Sequence, residues 1–488
     1  MADDVAVREP SLADALIPLV ALAGLIAAAL ALFGLDALDG PIQVALILCC
    51  EVAALIAMKN GHSFSAVQET GKNALASVTS AVFILFAVGA LIGVWNLSGT
   101  IPTLVYYGIQ VLSPGWYYAA TALICGVVAL SIGSSWTTAA TIGVGLVGVA
   151  GLIGVSPAIT AGAVISGAYL GDKTSPLSET TILTAQIVGV DVHEHIKRQI
   201  WTSVPAFAIA FVVFLVLGVT GPDTVSTAET TSDLEALNDI YWITPLALLP
   251  LLLLGYLSYR KVPAALAILV STLFAGVLGA FLQPDVYADF VSGSGNVLVE
   301  SIKAVWSAMA NGFSIDSGIA DVDRLLSRGG MDSMLLTIWL IIGAVTFGAL
   351  LEEYGLIGRL VMPMIESARS TGRLFLTVFA CAFGLNVVAG DQYIALVLPS
   401  RIFRAEFAKR GLAGTNLSRL AADSGTVTSP LVPWNSCGAF MGATLGVSTL
   451  LYLPYAVFCY ASPALSVLYG FTGFKIEKTE PTELEEPA

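Results

Sequence analysis

Two stretches of this sequence set acidic and hydroxyl side chains around a proline, between long apolar runs. The first reads Gly171-Asp172-Lys173-Thr174-Ser175-Pro176-Leu177-Ser178-Glu179-Thr180-Thr181. A helix cannot pass smoothly through Pro176, which lacks an amide proton and clashes with the preceding turn. Asp172, Glu179 and the hydroxyls of Thr174, Ser175 and Ser178 supply hard oxygen atoms beside that break, the donor type that small unpolarisable cations prefer. Lys173 can neutralise a carboxylate while such a site holds no cation. The same residues would also suit a polar loop at a membrane edge, with Lys173 snorkelling to the surface.

The second stretch reads Asp423-Ser424-Gly425-Thr426-Val427-Thr428-Ser429-Pro430-Leu431-Val432-Pro433-Trp434-Asn435. It offers one carboxylate, hydroxyls that include Thr428 and Ser429, two prolines and an amide between apolar flanks. Asp391 stands between two further apolar runs, with Asn386 five positions before it. A carboxylate withdrawn from water finds a partner or takes a proton, which makes an intramembrane acid a functional candidate. A tight hairpin at the outer face is the alternative for Asp391. Its counterpart in the first half is Ser135, followed by Thr137 and Thr138, which bring hydroxyls but no charge. Glu51 lies inside an apolar run, as a proton carrier or a partner for a neighbouring helix. His62, His193 and His195 fall in loops and make no structural zinc pattern.

These side chains need elements to hold them, and the composition says which. The chain has 488 residues, 56% hydrophobic and 11% charged, with 47 glycines. Soluble domains carry about 25% charged residues, so the polar shell of a soluble protein is missing. Runs of about 20 apolar residues, the length that crosses a bilayer, recur from residue 16 to residue 470. The expected fold is an all-α polytopic membrane protein with about 11–14 transmembrane helices, some of them broken. Fourteen runs can be marked. Residues 62–76 and 297–311 look like helices lying at the interface, and 101–112 and 355–366 are too short to cross. The N-terminus lacks the basic region of a cleaved signal peptide. The net charge of −14 and the absence of a basic cluster exclude nucleic acid as a partner.

Loop charges orient the chain. Residues 401–419 carry five basic residues against Glu406, whereas 222–240 carry five acidic residues and no basic one. Basic loops stay in the cytoplasm, so both termini fall inside, along with 17 of the 21 basic residues, Arg419 among them. The chain divides into a cytoplasmic segment 1–15, a first transmembrane repeat 16–220, an acidic extracellular linker 221–241, a second repeat 242–470 and an acidic tail 471–488 that hangs in solvent. Local matches join the halves: Phe86 to Leu91 with Phe347 to Leu350, Gly133 to Thr137 with Ala389 to Tyr393, and Ser175-Pro176-Leu177 with Ser429-Pro430-Leu431. Seven crossings per half would invert the second copy, an arrangement that places binding sites at the repeat interface near the midplane. Chance matches among glycine-rich helices are the alternative.

The motif at 171–181, followed by Gly189-Val190-Asp191-Val192-His193-Glu194-His195-Ile196, resembles the NhaC-type sodium/proton antiporters. So does the run from Ser418-Arg419 through Asp423 to Asn435-Ser436-Cys437-Gly438-Ala439. The resemblance covers residues 10–470 and implies exchange of sodium for protons across the plasma membrane of a bacterium or archaeon, while relatives exchange organic acids such as malate and lactate. It points to Asp172, Ser175, Asp423, Thr428 and Ser429 at a cation site, with Asp391 in the related break. Glu179 stands where the family pattern has aspartate, which keeps the charge and lengthens its reach.

The expectation is therefore a secondary transporter in which Asp172, Asp391 and Asp423 form one carboxylate cluster that holds sodium or protons. Lys173, Ser135, Thr137, Thr138, Asn386 and Asn435 support it. The alternative is a sodium- or proton-coupled exchanger of small organic acids or amino acids. Partners are the two ions, the lipid bilayer and, as an option, a second copy in a homodimer. No cofactor is expected. The absence of HExxH, GxSxG and Walker A motifs argues against an enzyme.

Overall fold

The computed structural model describes residues 7–221, 227–292 and 295–480, apart from the side chains of 227–233, Asp321, Glu366 and Ser367. The first six residues, Asp223 and the last eight residues of the expected tail lie outside that range. The regular structure among the described residues is helical, apart from one isolated bridge between Leu412 and Lys478. Nine helices among them are long and apolar enough to cross a membrane, or up to eleven if two sharply bent pairs each count as one span. That is fewer than the fourteen apolar runs. Pro157–Thr174 and Gln392–Lys409 are full-length helices but too polar to qualify. Val457–Thr472 is apolar but short.

The distribution of side chains is that of a protein solvated by lipid. Leu32, Phe83, Val277 and Phe281 face outward, each more than half exposed, while Asn386, Asp423, Arg419 and Lys173 are buried. In hydrocarbon, backbone groups must be paired internally, so unwound segments survive only where protein or water surrounds them. The breaks described below are lined mostly by buried residues, although Pro176 and Glu179 are exposed.

Several expectations are corrected. Residues 62–76 do not form a separate interfacial helix. Ser63 caps a single helix, Phe64–Leu97, of 34 residues, because nothing between the two stretches interrupts the hydrogen-bond ladder. Helix Thr227–Ile240 replaces part of the acidic loop, and its end turns by 90° into Pro245–Tyr259. The tail does not hang free up to Glu480. Lys478 bridges to Leu412, the Glu477 carbonyl accepts from the Ala413 amide, and the Glu477 carboxylate pairs with Arg198 at 2.5 Å. His195 sits on helix Val192–Thr220 rather than in a loop, and both it and Arg419 are fully shielded from solvent.

Small residues let the inner helices approach closely. Helix Pro157–Thr174 packs on Tyr117–Ile132 so tightly that a Cβ on Gly167 would lie 2.2 Å from the Ala122 carbonyl oxygen. Helix order also repeats along the chain. Left-handed Gly99 and Gly355 precede two 12-residue helices, Thr100–Val111 and Leu356–Ser367. Ser113 and Ser370 precede the next pair, which ends at left-handed Gly133 and Gly390.

Candidate ion-binding site

Four helices begin inside the bundle, each directly after an unwound segment. Their first amides have no intrahelical acceptor, and their ends carry partial positive charge. A side chain caps each one. Ser134 accepts from the Thr137 amide and Ser178 from the Thr181 amide, while Asp391 accepts from Tyr393 and Ile394 and Asn435 from Cys437. Asp391 follows Ser134, and Asn435 follows Ser178, by the same 257 positions. The caps thus align Asp391 with Ser134, one position before the Ser135 that the sequence match suggests. The fourth segment is the longer one: Asn435 comes five residues after Pro430, but Ser178 only two after Pro176.

Asp172 lies where the first two of these helix starts meet. Its carboxylate accepts from Ser135 Oγ at 2.6 Å, from Ser178 Oγ at 2.7 Å and from Thr180 Oγ1 at 3.2 Å. Thr181 Oγ1 donates toward the carbonyls of Asp172 and Lys173, holding the frayed helix end. Gly133 makes this approach possible: its φ is +77°, and a Cβ there would stand 2.7 Å from the Leu177 carbonyl carbon. The side-chain donors that reach Asp172 are all neutral hydroxyls. The two positive helix ends and the three donated hydroxyls stabilise the ionised carboxylate, and carboxylate and hydroxyl oxygens are the hard donors that a sodium ion takes.

The next residue turns to a different neighbourhood. Lys173 Nζ forms a fully buried ion pair with Asp423 and also donates to Ser462 Oγ at 2.8 Å and Thr202 Oγ1 at 3.1 Å. Ser462 and Thr202 donate in turn to Asp423 Oδ1 at 2.5 and 3.3 Å. Asp423 lies in a π-helical turn, Ala422–Thr426, an irregularity often found at functional positions. No hydrogen-bond partner of Asp172 is shared with Asp423. Among the described residues no three acidic, histidine or cysteine side chains converge as a metal cluster would. Asp172 and Asp423 thus have separate sets of hydrogen-bond partners, reached from the successive residues Asp172 and Lys173 of one helix end, and Asp391 caps a different helix.

Asp391 uses Oδ1 as a helix cap, and its Oδ2 accepts from Ser436 Oγ at 3.4 Å. Tyr393 reaches from this cap to Glu179, the residue after Ser178. The phenol donates to Glu179 Oε2 at 3.3 Å and lies within charge range of Glu179, Asp172 and Asp391. Glu179 is exposed, at the rim of this acidic group. Asn386 and Asn435 brace the fourth segment. Asn386 donates to the Gly425 carbonyl at 2.7 Å and to Thr428 Oγ1 at 3.0 Å, and Asn435 donates to Asn386 Oδ1 at 3.0 Å. Trp136 stacks on Phe440 with centroids 4.0 Å apart, which ties a helix start of the first half to one of the second. A cavity of about 370 Å³ lined by Asp36, Asp39, Gln43, Pro433 and Ala439 borders the fourth segment.

The remaining predicted hydroxyls bond within their own segment or, for Ser175, to the backbone of a neighbouring helix. Ser175 donates to the Leu130 carbonyl, Thr138 to the Ser134 carbonyl, Thr137 to Ser134 Oγ, Ser429 to the Thr426 carbonyl and Thr428 to the Ser424 carbonyl. These hydroxyls hold the unwound segments in place and donate to no carboxylate. Thr180, Thr202, Ser462 and Tyr393 are residues that sequence reasoning passed over. Thr202 and Ser462 have no local motif to mark them, whereas Thr180 stood beside Glu179 and Tyr393 beside Asp391.

A family model described as the Na+/H+ antiporter family matches residues 15–221 and 167–474. The chain is 36% identical over 439 residues to the Na(+)/H(+) antiporter NhaC of Alkalihalophilus pseudofirmus, covering 90% of this chain and 92% of that one. It is 33% identical to the arginine/ornithine antiporter ArcD of Halobacterium salinarum, over 98% of this chain and 96% of that one. It is 32% identical to the malate-2H(+)/Na(+)-lactate antiporter of Bacillus subtilis, over 89% and 90%.

Proposed function

The chain belongs to the Na+/H+ antiporter family, whose members are transporters rather than enzymes, and from this premise we propose that it exchanges sodium for protons, with Asp172 as the carboxylate that both cations contest. The observation that carries the reading is the Asp172 centre: a buried acid at two helix starts, held by three hydroxyls and, among the described residues, by no cationic side chain. A buried anion needs a counter-charge. Sodium and a proton each supply one, and neither can bind while the other occupies the same oxygens. Exposed Glu179 and the phenol of Tyr393 form the approach, drawing cations from water toward Asp172 and Asp391.

Exchange requires that the site open to one side at a time. The halves are read as inverted repeats that rock against each other about the four helix starts, a geometry typical of secondary transporters. The equal spacing of the caps supports the repeat. The Lys173–Asp423 pair would lock the halves while the carboxylate is otherwise unpaired. The charge bias of the loops supports a plasma-membrane protein with both termini in the cytoplasm.

A second reading is exchange of small organic acids or amino acids, supported by the named activities of two relatives at 32–33% identity. Purified protein in vesicles separates the two. Sodium alone should collapse an imposed pH gradient if the primary reading holds. A requirement for malate, lactate, arginine or ornithine would replace it with the second.

A further inference from the structure

Arg419 is 0% exposed, yet the hydrogen bond it makes is a single one, from Nη1 to the Lys475 carbonyl at 3.3 Å. Its Nε and Nη2 have no partner among the described residues. Those two nitrogens share one edge of the guanidinium, the edge that takes a carboxylate side-on through two parallel bonds. A buried charge left in this state is costly, so the empty edge needs an explanation. Asp423 lies four positions further along the same helix and its π-turn, and its Oδ2 is likewise buried and without a partner. Residues four apart face each other on a helix. Arg419 also lies within charge range of both Asp423 and Lys173.

We infer that Arg419 is the second cationic partner of Asp423, the charge that takes this carboxylate when Lys173 leaves it. In the present structure Asp423 Oδ1 belongs to Lys173, Thr202 and Ser462, and Arg419 is drawn the other way. The chain end holds it there. Lys475 supplies the acceptor, Tyr469 lies under the guanidinium at 5.7 Å, and Glu477 fixes the strap through Arg198, Thr415 and Asn416. His195 stands on the same helix as Arg198 but bonds Ser418 and Gln199 instead. A carboxylate with two alternative cations can change partners without ever being left bare in the interior. This gives the Lys173–Asp423 lock a low-cost open state. Arg419 acts as a positioning residue.

The inference rests on the transport reading only for its role in the cycle; the pairing itself can be tested by unfolding. A double-mutant cycle measures it. Lys173→Met should leave a folded protein, because Arg419 takes over Asp423, and Arg419→Gln should also fold. The double variant should lose far more than the singles combined, with sodium-driven proton flux about tenfold or more below the product of the single effects and a matching non-additive drop in unfolding temperature. Arg419→Lys in the Lys173→Met background should restore most of both. If the double variant does not accumulate, that rescue pair decides the matter. Additive losses, or a failure of Arg419→Lys to do better than Arg419→Gln beside Lys173→Met, would overturn the pairing and leave Arg419 as an anchor for the strap. Wild-type protein without sodium-driven flux would sink the transport reading, while the unfolding data would still judge the pair.

Discussion

Lys173 and Asp423 meet as a fully buried ion pair although 250 positions separate them in the chain. The contact joins the break of one half to the π-turn of the other. It also turns Lys173 away from Asp172, its neighbour in sequence, which keeps hydroxyl partners alone. The lysine thus neutralises one acid and leaves the other for a mobile cation.

The pair should behave asymmetrically when broken. Asp423→Leu strands Lys173 and Arg419 together without an anion and should cost roughly 3–5 kcal/mol of stability. The double variant Lys173→Met/Asp423→Leu should recover much of that loss in thermal unfolding and still transport nothing. A double variant no more stable than Asp423→Leu would show that the two charges do not form the unit described.

Hydroxyls that reach Asp172 should matter for the ion, and those that bond locally should not. Ser135→Ala removes a bond to a charged group worth about 1.5–3 kcal/mol, so the sodium concentration for half-maximal flux should rise about tenfold or more. Thr138→Val removes a hydroxyl that donates to the Ser134 carbonyl, and should change that concentration by less than about threefold. Equal effects from the two would remove the distinction between Asp172 ligands and scaffold hydroxyls.

Asp391 has two duties that substitution can separate. Asparagine caps a helix about as well as aspartate, whereas alanine costs about 1 kcal/mol. Asp391→Asn should therefore unfold near the wild-type temperature and lose most sodium-dependent flux, while Asp391→Ala should lose stability as well. Full flux in Asp391→Asn would reduce the residue to a cap.

The contact between the first two breaks depends on Gly133. Alanine there must take a φ of +77° and place its Cβ 2.7 Å from Leu177, a strain of roughly 1–3 kcal/mol. Gly133→Ala should lower the unfolding temperature and weaken sodium binding together, since Ser135 and Ser178 would be pushed apart. Loss of stability with unchanged sodium affinity would show that the carboxylate site does not rely on this packing.

Much of this was legible in the sequence. Prolines between apolar runs marked two of the four breaks and glycine beside polar residues the other two, because unwound backbone and polar side chains are costly in lipid and need a reason to be there. Which acid meets which partner was not legible. Asp172 and Lys173 are adjacent in sequence yet face different centres, since successive residues on a helix point about 100° apart and the neighbours that decide the outcome, Ser135 and Asp423, come from distant segments. Charge counting put Arg419 in a cytoplasmic loop because it follows four other basic residues, whereas its helix packs among others and residues 475–479 dock against Gly411 to Asn416 beside it. Residues 62–76 misled for a local reason. Their few charges suggested an interface, but the helix continues through them without interruption.

The competition at Asp172 can be measured without any membrane potential or gradient. Calorimetry of purified protein titrated with sodium at a series of pH values should show affinity falling about tenfold for each unit of acidification below the proton midpoint, with protons released as sodium binds, and Asp172→Asn should bind neither ion in this range. Sodium affinity that ignores pH, or that survives intact in Asp172→Asn, would contradict a shared carboxylate at this position.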